Sequence, residues 1–314
     1  MSTSMSLLYK DITSSRRGKF LDNMLSFYVP LVFKLPALRN NPKLMTVSVK
    51  STSSSGIADA ATNTDIYAQN EIKRHVLPNY PNWQFWGEEG KDNVNNYDFS
   101  KEYLLIADPI EGTNNFIAKK DNQWGSVVAL VDIKRKEPII GVVAHPTTRT
   151  IYFGLKGKGA YIAKYNNKNA LLSLNKMKKA PEYSKFTYNN SPHFEKYLLK
   201  QVKNFLSLGK VLPAKASSDK IEKSRYTVQI PGKGGKKVTF VDPESGALEA
   251  LRYRGTIYFK TSNEMAAVFV ILKEIGGVVT DANGEKWSLG INTMISARTG
   301  EDYEYLQSLF RKTI

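Results

Sequence analysis

The residues in this chain best suited to chemistry are carboxylates. Asp65 falls in a helical stretch. Glu88 and Glu89 follow Gly87 at the end of a short strand-like run. Asp108 and Glu111 flank Pro109-Ile110 at the end of a continuous apolar run, and Glu264 opens a mostly apolar helix. Acids at strand ends and helix starts, beside glycines, are where a fold converges them on one cleft. Divalent cations neutralise their mutual repulsion. These residue types read as a multi-carboxylate Mg²⁺ site, with Mn²⁺ as a possible substitute. Gly112-Thr113 adds a second element, because a glycine and a hydroxyl residue opening a helix present backbone N–H groups to phosphate. Metal and amides around one phosphate form an arrangement for phosphoryl hydrolysis. The metal polarises the ester, stabilises the leaving oxygen and lowers the pKa of a bound water.

The elements that must position these groups read as a mixture without strict βαβ alternation, so the fold class is α+β. Residues 58–76 read as a helix, with Ala68, Ile72, His75 and Val76 on one face and Pro78 closing it. Residues 84–86 look like a short strand. Tyr103 to Ala107 reads as a buried strand ending at the Asp108 motif. Runs at 126–131, 139–144 and 150–155 are joined by short connections, which suggests an antiparallel meander. From about Ala163 to Lys237 the chain is Lys- and Asn-rich and carries no clear pattern. Beyond it come a strand at 256–259, a buried helix at 264–275 ended by Gly276-Gly277, strands at 278–280 and 293–297, and a final amphipathic helix at 301–310. The length allows one large domain or two coupled subdomains, and the division expected is 1–165, with most of the metal ligands, and 166–314, with the active site between them.

Composition narrows the alternatives. The 314 residues carry 45 Lys+Arg against 29 Asp+Glu, a formal charge of +16, and 41% are hydrophobic, which excludes a disordered, collagenous or coiled-coil chain. There is no cysteine, so disulfides, thiolate metal sites, iron–sulfur clusters and cysteine nucleophiles are excluded. The histidines, His75, His145 and His193, are far apart in sequence and argue against a His-rich zinc centre. The apolar stretch from Met24 to Leu38 is interrupted by Pro30, Lys34 and Pro36 and falls short of the roughly 20 residues a spanning helix needs. No membrane partner is expected, and the N-terminal region reads as a packed helix with a connector. Its Arg16 and Arg17 weakly suggest an organelle transit peptide, but Asp11 and Asp22 oppose that, so the expected location is cytoplasmic.

The run Asp108-Pro109-Ile110-Glu111-Gly112-Thr113-Asn114-Asn115-Phe116 resembles the D-P-[IL]-D-G-[ST]-x-N-[FY] signature of the inositol monophosphatase family. Asp59-Ala60-Ala61-Thr62-Asn63-Thr64-Asp65 resembles the family's D-x-[VA]-T-x-x-D, and Gly87-Glu88-Glu89 its G-E-E. Asn263-Glu264-Met265-Ala266-Ala267, then Glu274-Ile275-Gly276-Gly277 and Asp281-Ala282-Asn283-Gly284, resemble its C-terminal block. The resemblance covers roughly residues 45 to 300. It implies a layered α/β/α/β/α sandwich, usually a homodimer, that is Mg²⁺-dependent and lithium-sensitive. By it, Glu88, Asp108, Glu111, Glu264 and the Ile110 carbonyl would hold two or three metals. Glu88 would also belong to the catalytic group with Thr113 and Asp65, which would orient and activate the attacking water. The Gly112 and Thr113 amides would hold the phosphate, and Glu111 and Glu264 would touch substrate hydroxyls. Lys50 and Glu89 would support the site from behind. The implied partner is a small phosphorylated metabolite such as an inositol phosphate, a sugar phosphate or a nucleotide 3′-phosphate.

The chain departs from the pattern where Glu111 replaces Asp and Asn263-Glu264 replaces Trp-Asp. Each Glu keeps the charge and adds a methylene, which matters to Mg²⁺ with its demand for a near-ideal octahedron. The alternative is therefore a catalytically impaired member that binds a phosphorylated ligand or a partner. Some features read as structural. Residues 154–159 and 232–237 are glycine-rich but lack Walker A or dinucleotide-binding spacing and read as turns. Trp83, Trp86 and Trp124 read as core, and His145 as a strand-end residue. The basic stretch from Lys210 to Lys237 could draw a polyanion, but no RNA- or DNA-binding motif accompanies it, so nucleic acid is not expected as a partner.

Overall fold

The computed structural model describes residues 9–52, 58–93, 97–121, 123–188, 204–205, 207–208, 210–213, 226–231, 237–241, 246–258, 263, 265–281, 283–286, 288–289 and 294–312. The N-terminal half contains α1 (Arg16–Leu38), β1 (Val47–Thr52), β2 (Ala58–Thr62), α2 (Asn63–Val76), β3 (Trp83–Gly87), β4 (Tyr103–Glu111), α3 (Thr113–Ile117), β5 (Gly125–Asp132), β6 (Glu137–His145), β7 (Thr150–Leu155) and β8 (Gly159–Tyr165). Then follow β9 (Leu171–Lys176), β10 (Phe186–Tyr188), β11 (Lys210–Pro213), β12 (Tyr226–Pro231), β13 (Lys237–Val241), α4 (Gly246–Arg252), β14 (Gly255–Tyr258), α5 (Ala266–Glu274), β15 (Val278–Asp281), β16 (Met294–Ala297) and α6 (Gly300–Arg311).

Strands β3 to β9 form one sheet in sequential order. β3 and β4 run parallel, and every later neighbour pair is antiparallel, as the short connections suggested. The continuous apolar run of β4 has a simple cause. Leu105 and Ala107 face one core with α1 and α2, whereas Leu104 and Ile106 face another with α4 and α5. Side chains alternate across the sheet and both faces are covered, so every position is apolar. The second sheet has the order β11-β12-β13-β10-β14-β16-β15, and α6 packs on its far side through Leu306, Leu309 and Phe310. The layers are therefore α1/α2, sheet, α4/α5, sheet, α6, which is the expected five-layer sandwich.

Several expectations shift. Residues 58–62 are a strand paired with β1, and the helix begins only at Asn63. His75 is exposed on α2, while Ala68, Ile72 and Val76 are buried. His75 therefore does not belong to the core face. α1 runs through Pro30 and Pro36. Each interior proline costs about 3 kcal/mol. The buried face from Phe20 to Leu35 offsets this, at about 1.5–3 kcal/mol per large apolar side chain. α5 begins at Ala266, and its residues through Leu272 are all buried, because it lies between the two sheets. The patternless stretch holds β9 to β12. β12 and β13 pair antiparallel around residues 232–236, which themselves lie outside the described residues. Trp83, Trp86 and Trp124 are core, and His145 is the buried last residue of β6. Among the described residues no helix is long and apolar enough to cross a membrane.

Candidate active site

Asp65 is positioned by the start of α2. Thr62 is the N-cap and Asp65 the third helical residue, and together they make a capping box. One Asp65 oxygen, Oδ2, accepts from the Thr62 backbone N–H at 2.8 Å and from its hydroxyl at 2.5 Å. The other, Oδ1, lies 2.9 Å from Thr113 Oγ1. Thr113 Oγ1 also lies 3.0 Å from the Ile110 carbonyl. Asp65 is 1% exposed. Burial pushes its carboxyl up to about 6; the hydrogen bonds from Thr62 and Thr113 oppose the shift and the charge of Glu88 adds to it. A helix start thus becomes a carboxylate that can take a proton near neutrality.

Asp108 and Glu111 come from the end of β4. The Asp108 Oδ1 atom accepts from the Ile110 backbone N–H at 3.1 Å, closing a local turn over Pro109. The register opposite β5 shifts between Asp108 and Glu111, so the strand end is re-aimed as in a bulge. Gly112 follows at φ 92°, a left-handed conformation that favours glycine, and launches α3 at Thr113. Glu111 reaches across to the other half of the chain. Its Oε1 accepts from Gly246 N at 2.8 Å and its Oε2 from Ala247 N at 3.4 Å, at the first residues of α4. Helix N-termini favour a carboxylate there.

Glu88 and Glu89 sit at the end of β3. Lys50 of β1 places its ammonium 3.0 Å from Glu88 Oε1 and 2.6 Å from Glu89 Oε1. Burial acts to lower the Lys50 pKa, but the two carboxylates outweigh it and hold it above the ordinary value. Glu89 is pushed up to about 7, first by burial and then by the charge of Glu88, against the pull of Lys50. Gln69 of α2 bonds the Glu89 backbone through both ends of its amide. Nothing in the sequence pattern singled out Gln69, although it lies one helical turn after Asp65. Asn263 Nδ2 donates to Tyr97 Oη at 2.8 Å. Glu264 itself lies outside the described residues.

The Glu88, Asp108 and Glu111 carboxylates and the Ile110 carbonyl fit a hard divalent cation in kind, being all oxygen. The Lys50 ammonium on Glu88 marks the same demand for positive charge. Among the described residues, no three acids are gathered into a ready-made metal cage.

The layered sheets, with acids and a hydroxyl at adjoining strand ends, define the α+β sandwich of the inositol and sugar phosphatase type. The chain belongs to the inositol monophosphatase family, which it matches over residues 32–314. Inositol monophosphatase 3 of tomato (Solanum lycopersicum) is 31% identical over 107 residues, 34% of this chain and 39% of the tomato protein. The alignment thus spans about two fifths of that relative. Human inositol monophosphatase 2 is 25% identical over 260 residues, covering 82% of this chain and 81% of the human protein. A staphylococcal inositol monophosphatase-1, solved as a LiCl-soaked inhibitory complex, superposes with a TM-score of 0.64 at 16% identity, over 93% of this chain and 94% of that one. At that identity the likeness is one of fold.

Proposed function

We propose that this protein is a Mg²⁺-dependent phosphoric monoester hydrolase acting on a small phosphorylated metabolite such as an inositol or sugar phosphate. The carrying observation is the buried Asp65–Thr113 pair, 2.9 Å apart, beside the oxygen donors of β3 and β4. Glu88, Asp108, the Ile110 carbonyl and Glu111, together with Glu264, would hold two or three cations. Bound there, the cations would supply Lewis-acid polarisation of the ester and charge for the leaving oxygen.

The protein's own groups do the rest. The Thr113 hydroxyl donates to Asp65 and turns a lone pair to the cleft, where it accepts from a water and aims that oxygen at phosphorus. As the water attacks, its proton passes to Thr113 and the Thr113 proton to Asp65, whose pKa of about 6 suits a base near neutrality. The Gly112 and Thr113 amides hold the phosphate oxygens. Glu111 and Glu264 would also meet substrate hydroxyls, and Lys50 and Glu89 keep Glu88 in place. The cleft lies between the 1–165 and 166–314 parts of the chain. A cytoplasmic homodimer completes the reading.

The test is phosphate release from a substrate panel with Mg²⁺ or Mn²⁺, with and without Li⁺. Metal-dependent release, blocked by Li⁺ and by EDTA, is expected. No turnover of inositol phosphates, sugar bisphosphates or 3′-phosphoadenosine 5′-phosphate with any divalent ion would refute it. Binding of these ligands without turnover would favour a catalytically impaired member, a reading motivated by Glu111 being held by the Gly246 and Ala247 amides.

A further inference from the structure

Gln69 is 3% exposed and lies four residues after Asp65 on α2, so both side chains leave the same face of one helix. Its amide is used twice on a single residue. Gln69 Oε1 accepts from the Glu89 backbone N–H at 2.9 Å, and Gln69 Nε2 donates to the Glu89 carbonyl at 3.0 Å. The same nitrogen lies 3.3 Å from Asp92 Oδ2, and one turn further along α2 Lys73 Nζ lies 2.5 Å from Asp92 Oδ1. Further supports of this strand end include the Glu88 N–H on the Ala107 carbonyl at 3.3 Å, Asn93 Nδ2 on the Glu88 carbonyl at 2.8 Å and the Lys50 ammonium on both carboxylates. Gly87 lets the amide approach, since a Cβ there would stand 2.2 Å from Gln69 Cδ. A primary amide is the side chain that can both accept from an N–H and donate to a carbonyl in one plane. Glycine at 87 and glutamine at 69 therefore form one device.

We propose that Gln69 is a positioning residue for cation binding: it fixes the backbone at Glu88–Glu89, so that the helix carrying Asp65 also sets the placement of Glu88. The inference rests on the reading of Glu88 as a cation ligand. A ligand carboxylate must be held within about 0.5 Å of its productive position, and the backbone at Glu89 is where this one is anchored. It also joins two parts of the site, because a displacement of α2 would move the proton acceptor and the ligand together.

The test is Mn²⁺ binding by titration calorimetry on the full-length protein and on Gln69→Leu, Gly87→Ala, their double variant and Glu88→Gln, with melting curves in EDTA. Gln69→Leu and Gly87→Ala should each weaken Mn²⁺ by about 10- to 100-fold, the range for losing a group that orients a ligand. The double variant should bind no more weakly than Gln69→Leu, because Gly87→Ala acts by displacing the same amide. Should Gln69→Leu fail to fold, Gly87→Ala carries the test, since it retains the amide. A lowered melting temperature with unchanged Mn²⁺ affinity would overturn the inference and leave Gln69 a packing residue. Mn²⁺ binding indifferent to Glu88→Gln would overturn the reading of the site and the inference with it.

Discussion

The pair at the centre of the proposed mechanism makes a quantitative demand on stability. The carboxyl of Asp65 is raised from 3.8 to about 6, and the residue is 1% exposed. The difference, 6 − 3.8, is about 2.2 units, which at 1.36 kcal/mol per unit is about 3 kcal/mol. The folded value lies above the unfolded one, so between them the folded chain binds more protons. The stabilisation is fully present below 3.8 and is lost as pH rises through about 6. Asp65→Asn removes that titration. It also removes an acceptor from either Thr62 or Thr113, a fixed loss independent of pH. Glu89, raised to about 7, adds a slope of its own; the charge of Asp65 is the smallest of its causes, so the variant keeps most of that slope. Urea unfolding of the two in EDTA, from about pH 4 to about pH 7, should show the wild type losing roughly 2–3 kcal/mol relative to the variant. Turnover in the variant should fall by about 10²- to 10⁴-fold, the usual contribution of a positioned base. A stability difference that stays constant across that range would refute the assignment of Asp65 as a buried carboxylate with a raised pKa.

Two further substitutions probe what the fold adds. Glu111→Asp draws the carboxylate back from Gly246 N, now 2.8 Å away, and leaves a buried amide unpaired. Denaturation should show a loss of about 1–3 kcal/mol, and turnover should fall, whereas strong activation of a silent parent would favour the impaired-member reading. Tyr28 of α1 is 1% exposed and donates to Ser126 Oγ on β5 at 2.7 Å. Tyr28→Phe should cost about 1–3 kcal/mol by leaving Ser126 unmatched, with kcat unchanged; a large fall in kcat would instead tie α1 to the chemistry of the site.

Much of the site was legible because it is local. Asp108 to Thr113 is a strand end, a bulge and a glycine turn, all set by neighbouring residues, and Thr62 with Asp65 is a capping box spanning four residues. The first sheet was legible for a related reason, since β4 to β7 are apolar runs between turn residues. What escaped depended on distance. The helix expected at 58–76 loses its first five residues to β2, because pairing with β1 outweighs their helical pattern. Gln69 reads as an ordinary helix residue until Glu89, 20 residues on, is folded against it. The role of the long N-terminal helix, including its prolines, is set by the sheet it covers.

The sequence alone thus determined the kinds of group present: an all-oxygen donor set, a threonine hydroxyl with a nearby aspartate, a glycine turn, and no thiol or clustered imidazole. Those follow from residue type and short-range spacing. The tertiary structure alone decided their electrical states and their anchors. Burial lifts Asp65 and Glu89 toward neutrality, Lys50 of the β1–β2 hairpin settles on Glu88 and Glu89, and Glu111 bridges 135 residues to the start of α4. The reason is physical. Desolvation and long-range charge pairing depend on what the rest of the chain brings to a point in space, and neighbouring residues along the chain do not encode it.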